Sequence, residues 1–163
     1  MPVLIAGVGY HHLRDLSVGP ALVPRLRRLD WPEGIEIEDL SFGPIAVVQW
    51  LEEKPGYYER MVFVSSVERA RRRGSIYLYR WPGRLPEAAE IQERIGEAVM
   101  GVISLDNLLI ISQHFRVLPA EVIVVEVEPE DTGWGLGFTP CIEAALEEVI
   151  ETVRRAALDG YNG

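Results

Sequence analysis

Val3-Leu4-Ile5-Ala6-Gly7-Val8-Gly9-Tyr10-His11-His12-Leu13-Arg14-Asp15-Leu16-Ser17-Val18-Gly19 decides how the rest of the chain is read. An apolar run of strand length breaks at Gly7 and Gly9. After a short polar loop, an apolar periodic segment opens at Val18 and continues through Leu22, Val23 and Leu26. Strand, loop and helix in that order make the first half of a βαβ unit. In an open parallel sheet, ligands bind at the loops leaving the C-terminal ends of strands, where the strand order reverses. Residues 10–19 are therefore the first place to look for a site.

Working outward, the first helix is expected over Val18–Arg28, with Pro20 in a turn that tolerates it. Ile35–Leu40 alternates as a strand after the turn Trp31-Pro32-Glu33-Gly34. Ser41-Phe42-Gly43-Pro44 opens a second helix, which Lys54-Pro55-Gly56 ends. Arg60–Ser65 is nearly all apolar, as a central strand covered on both faces must be. A basic loop, Glu68–Gly74, leads without an intervening helix into a strand over Ser75–Trp81, which predicts an edge strand running antiparallel. Helices follow at Pro86–Val99 and, capped by Ser104, from Leu105 through Ile111. Glu121–Val127 is a further apolar strand, and Asp131–Gly137 is a glycine-rich loop. Thr139 as N-cap and Pro140 at the first helical position begin a last helix to about Leu158. Residues 161–163 should fray. The order β-α-β-α-β-β-α-α-β-α predicts an α/β fold, a three-layer α/β/α sandwich on a mostly parallel five-stranded sheet with one antiparallel edge strand.

The 163 residues suit one domain over 1–163, long enough for a full core. A formal charge of −9 argues against non-specific affinity for nucleic acid or an anionic membrane. The lone cysteine, Cys141, has no internal partner and suggests a reducing compartment. With no leader-like segment and no apolar run of spanning length, a cytoplasmic protein is expected.

Three groups of side chains carry candidate chemistry. His11, His12 and Asp15 share the organising loop, and imidazoles with a nearby carboxylate suit nickel or zinc. The plainer alternative is a set of exposed polar loop groups that bind no metal. Arg69, Arg71, Arg72 and Arg73 follow the third strand; they either grip an acidic peptide or free C-terminus bidentately, or form a solvated loop. Cys141 at a helix N-terminus and His114 at a helix end read as structural. Gly7-Val8-Gly9 lacks a third glycine at the helix start, which makes a poor dinucleotide fingerprint.

The chain also resembles the nickel–iron hydrogenase maturation endopeptidases. The likeness rests on Leu4-Ile5-Ala6-Gly7-Val8-Gly9 with Asp15 and Gly19, on Val62–Ser65 with Arg73-Gly74-Ser75, on 119–129, and on Gly137-Phe138-Thr139-Pro140 before Glu143 and Ala144. The resemblance implies this same fold. It also implies an enzyme that cuts a C-terminal extension from a hydrogenase large subunit, recognising nickel through a Glu, an Asp and a His. At the matching positions stand Leu16, Ser65 (of the pair Ser65-Ser66) and Gly101 (of Met100-Gly101-Val102). Tyr10 replaces the Asn after the first Gly-x-Gly, and Leu40-Ser41-Phe42 replaces a Gly-Gly-Thr loop. The expectation is a maturation-protease-like protein without nickel-dependent peptidase activity or cofactor. It would bind a protein partner, such as a hydrogenase-like large subunit, as an assembly factor. The alternative is an active peptidase with nickel or zinc moved to His11, His12 and Asp15. A peptide groove floored by Tyr10, Leu16 and Phe42 and rimmed by the arginines is weighed against side chains that simply plug the disused site.

Overall fold

The computed structural model describes residues 2–162. Strands β1 (Val3–Val8), β2 (Ile35–Asp39), β3 (Arg60–Ser66), β4 (Ile76–Arg80) and β5 (Glu121–Val127) form one sheet in the order β2-β1-β3-β5-β4. All neighbours are parallel except β4 and β5, so β4 is the antiparallel edge strand that its missing crossover helix foretold. Helices α1 (Val18–Arg27) and α5 (Pro140–Asp159) cover one face, while α2 (Pro44–Glu52) and α4 (Leu105–His114) cover the other. Helix α3 (Ala88–Val99) leans on α4 and α2 and buries only Ile91.

Period-two alternation sorts the central strands into two cores. Val62, Val64, Ile123 and Val125 face α1 and α5; Met61, Phe63, Val122 and Val124 face α2 and α4. Both sets are buried, which is why these strands read as unbroken apolar runs. The strand order reverses between β1 and β3, and the loops leaving those two strands meet at the sheet's C-terminal end.

Two glycines hold the first βα unit tightly together. A Cβ on Gly7 would lie 2.8 Å from the Val23 methyl and closer still to the Gly19 carbonyl; one on Gly19 would strike the Val8 backbone. The wall on each side is main chain, which cannot swing away. Gly19→Ala should therefore destabilise by about 2–3 kcal/mol, the upper part of the usual overpacking range, as read by chemical denaturation. Gly96→Ala on exposed α3, where a Cβ meets nothing within 4 Å, is the control and should not destabilise.

Two local expectations change. Thr139 holds the N-cap position of α5, but its hydroxyl makes no cap hydrogen bond; it donates instead to Asp15 Oδ2 at 2.7 Å. Tyr161 does not fray. It packs against the α5 side of the core, and its N–H donates to Glu121 Oε2. Gly163, expected to fray with it, lies outside the described residues. Ser104 caps α4 as expected, its hydroxyl accepting the Asn107 N–H.

Candidate functional site

The loop after β1 is laced to three other segments. The Gly9 N–H donates to Ser41 Oγ at 3.1 Å, which ties it to the loop after β2. The Tyr10 hydroxyl accepts the Ile103 N–H at 3.0 Å, reaching the turn before α4. Arg14 donates through its N–H to the Gly135 carbonyl, and the Gly135 N–H donates to the His12 carbonyl. A short 3-10 turn over Arg14–Ser17, not anticipated from the residues, closes this loop. His12 and Arg14 take left-handed backbone conformations, at φ 65° and 42°. Such conformations persist where surrounding bonds over-determine them, as these do.

Asp15 is the anchor. Its carboxylate is fully buried and accepts the N–H groups of Glu130, Asp131 and Thr139 at 2.9 Å each, besides the Thr139 hydroxyl. Burial by itself would raise its pKa. The hydrogen bonds from Asp131, Thr139 and Glu130 outweigh that and hold the carboxyl below its ordinary value. Every one of these bonds is made to the charged form.

A cleft of about 140 Å³ opens between the ends of β1 and β3 and the start of α4. Tyr10, Leu16, Ser65, Ser66, Glu68 and Ile103 line it. It is smaller than the few hundred cubic ångströms of an ordinary ligand pocket and has room for about one side chain. The structure thus brings Tyr10, Leu16 and Ser65 to one cleft. Phe42 does not line it and is 54% exposed; Gly101 sits on the α3–α4 turn facing open space. The expected floor of Tyr10, Leu16 and Phe42 therefore loses Phe42.

The residues present do not fit nickel. Leu16 and Gly101 have no donor atom. Ser65 Oγ already donates to the Val8 carbonyl at 2.7 Å, and Ser104 Oγ is taken up by its cap. That leaves the unpartnered Ser66 hydroxyl, a neutral and poor ligand for nickel, and exposed Glu68, with no imidazole among the described residues lining the cleft.

The relocated set fares no better. His11 turns toward Asp39, Nε2 to Oδ2 3.4 Å, while Asp15 points inward to its four donors. The two imidazole rings are 6.3 Å apart and flank a separate shallow depression with Pro20, Pro24 and Leu136. Among the described residues, no three His, Cys, Asp or Glu side chains are grouped to hold a metal ion.

The arginines divide. Arg69 binds Glu126 through Nε (2.8 Å) and Nη2 (2.9 Å) and Asp106 through both Nη atoms; Arg71 binds Glu126 and Glu128, each at 2.9 Å. These two guanidiniums are spent inside the molecule and are not available to a peptide. Arg73 is exposed, with Glu130 3.5 Å away, and Arg72 is exposed as well. Reading the sequence missed Glu126 and Glu128 as the partners. The available signal was a glutamate inside an otherwise apolar central strand, which cannot stay charged there without a partner. Of the two residues read as structural, Cys141 packs against the core, whereas His114 is exposed and stacks edge-on only against Phe115, itself exposed.

No family model matches the sequence, and no curated protein matches it. Solved structures do. A hydrogenase 2 maturation peptidase from Thaumarchaeota archaeon SCGC_AB-539-E09 is 26% identical, with 99% of this chain and 100% of that one covered and a TM-score of 0.68. An endopeptidase from Escherichia coli, solved in solution, is also 26% identical, at 97% and 92% coverage and a TM-score of 0.71. The hydrogenase maturating endopeptidase HybD from E. coli is 23% identical, covering 96% and 91%, again with a TM-score of 0.71. With this strand order, these helices and the loops of β1 and β3 meeting over one cleft, the chain has the fold of the hydrogenase maturation endopeptidases.

Proposed function

We propose that this protein is a maturation-peptidase-like binding factor that engages a protein partner of the hydrogenase large-subunit type without nickel-directed cleavage. One observation carries the reading: Leu16 and Ser65 face the same small cleft, and neither offers a free donor to a metal. Tyr10, whose hydroxyl is tied to the Ile103 N–H, narrows the cleft to the room of about one side chain, which suits side-chain packing better than a metal site. The surroundings favour a partner surface. Phe42, Met100, Trp134 and Leu136, on loops at this end of the sheet, and Val99, at the end of α3, are each more than half exposed. Large apolar side chains exposed at one end of a fold favour a contact surface there.

The test is calorimetric titration of the purified chain with nickel(II) and with zinc(II), alongside incubation with a hydrogenase large subunit carrying its C-terminal extension. Neither metal should bind stoichiometrically, and the extension should stay intact. The subunit should be retained by the wild-type chain and lost on replacing Met100 and Trp134 by serine. Tight nickel binding that survives His11→Ala and His12→Ala, or cleavage of the extension, overturns the proposal.

A further inference from the structure

A pocket of about 340 Å³ opens at the far end of the sheet from the cleft, between the segments that lead into β3 and β5. Tyr57 and Tyr58 on one side, and Phe115 and Leu118 on the other, give it apolar walls. That volume suits a small molecule. Both tyrosine hydroxyls donate to the Glu36 carboxylate, at 2.6 and 2.8 Å, so the polar ends of these rings are already spent. Two cations also line the pocket, one from each side. Lys54, the only lysine in the chain, is half-buried, its Nζ 4.1 Å from the Trp50 ring centroid and 5.5 and 5.7 Å from those of Tyr57 and Tyr58. The rings hold the ammonium in place and offer it no oxygen acceptor. Arg116 follows α4 in a left-handed conformation, φ 59°, where helices usually carry glycine. Its N–H donates to the Gln113 carbonyl and the Val117 N–H to that of Ser112, the bonds of such a helix stop. Glycine would make the same bonds without strain, so the stop itself gives no reason for an arginine. Acidic residues outnumber lysine and arginine by 25 to 16 in this chain, yet neither cation has an acidic partner among the described residues.

We infer that this pocket binds a small organic anion, a carboxylate carried on an aromatic body. The carboxylate accepts from Lys54 and Arg116, and the body lies between the tyrosines and Phe115. The helix ends that would oppose an anion here are occupied. The last carbonyls of α4 accept the bonds just named, and the Leu51 carbonyl at the end of α2 accepts the Lys54 N–H. Glu52, the one acidic residue in the lining, is exposed, and water and salt screen it. The site shares no residue with the cleft and does not depend on the function proposed for that end of the sheet.

Three probes of one shape test it: indole-3-acetate, neutral indole and cationic tryptamine, titrated calorimetrically into the full chain, with amide NMR shifts to place each. Indole-3-acetate should bind, its shifts confined to residues 51–58 and 115–119. Indole should bind about tenfold more weakly or worse, and tryptamine not at all. Arg116→Gly should lose about tenfold in affinity for indole-3-acetate while melting no earlier than the wild type, since glycine suits the helix stop. Lys54→Met keeps an apolar stem against Trp50 and should weaken binding by a similar factor. No binding of indole-3-acetate, shifts elsewhere, equal binding of indole, a preference for tryptamine, or full affinity in either variant would each overturn the inference.

Discussion

Asp15→Ala should cost on the order of 4 kcal/mol of folding stability, enough to lower the melting temperature by about 8–16 °C for a chain of this size. The substitution leaves three main-chain N–H groups, those of Glu130, Asp131 and Thr139, and the Thr139 hydroxyl facing an apolar gap. Each orphaned donor costs roughly 1–3 kcal/mol, and they share one acceptor group, so the sum saturates. The same carboxylate predicts a pH dependence. Its folded pKa lies below the unfolded value, so its contribution is fully present above about pH 4 and is lost as pH falls through the folded value. Asp15→Asn keeps an acceptor oxygen and should lose only part of the stability, but it should flatten the acid limb of the curve. Urea denaturation at neutral and acidic pH for the three proteins decides it. A wild-type acid limb identical to that of Asp15→Asn would refute the assignment.

Asp15 also shows what the residues made legible and what they did not. Strands and helices follow from apolar periodicity, which is local, and the sheet's handed crossovers leave little freedom in their order. The edge position of β4 followed from a missing helix, a covalent fact. The role of Asp15 did not follow, because its donors lie more than a hundred residues away in a loop whose path no periodicity encodes. An aspartate beside two histidines reads as a ligand set until the fold turns it inward. At the cleft, a leucine at 16 and a neutral hydroxyl at 65 in place of strong ligands were legible residue by residue, but that Gly101 lies outside the lining was not. That Tyr10 lines the cleft with its hydroxyl bonded to the turn before α4, while Phe42 stays outside, depends on loop geometry.

Glu126→Ala should be the other severe substitution, costing about 3 kcal/mol. Glu126 is fully buried in β5, and its carboxylate accepts from Arg69, Arg71 and the Tyr79 hydroxyl. Burial would raise its pKa; the Arg69 and Tyr79 hydrogen bonds outweigh that, and the group is held charged. Breaking a buried pair by removing one partner usually costs about 3–5 kcal/mol, because the remaining charge is left uncompensated. Here the lower end applies. Arg69 keeps Asp106 and is about a third exposed to water, and Arg71 keeps Glu128. The loss should be felt beyond stability, since these two arginines hold residues 67–74 against the sheet and Glu68 at the rim of the cleft. Hydrogen exchange of Glu126→Ala should show faster exchange at the Arg69 and Gly74 amides, with the Asp15-anchored amides of Glu130 and Asp131 unaltered. Arg69→Ala leaves Glu126 with Arg71 and Tyr79 and should cost less than Glu126→Ala. If it costs as much or more, the network is organised around Arg69 and not around the buried glutamate.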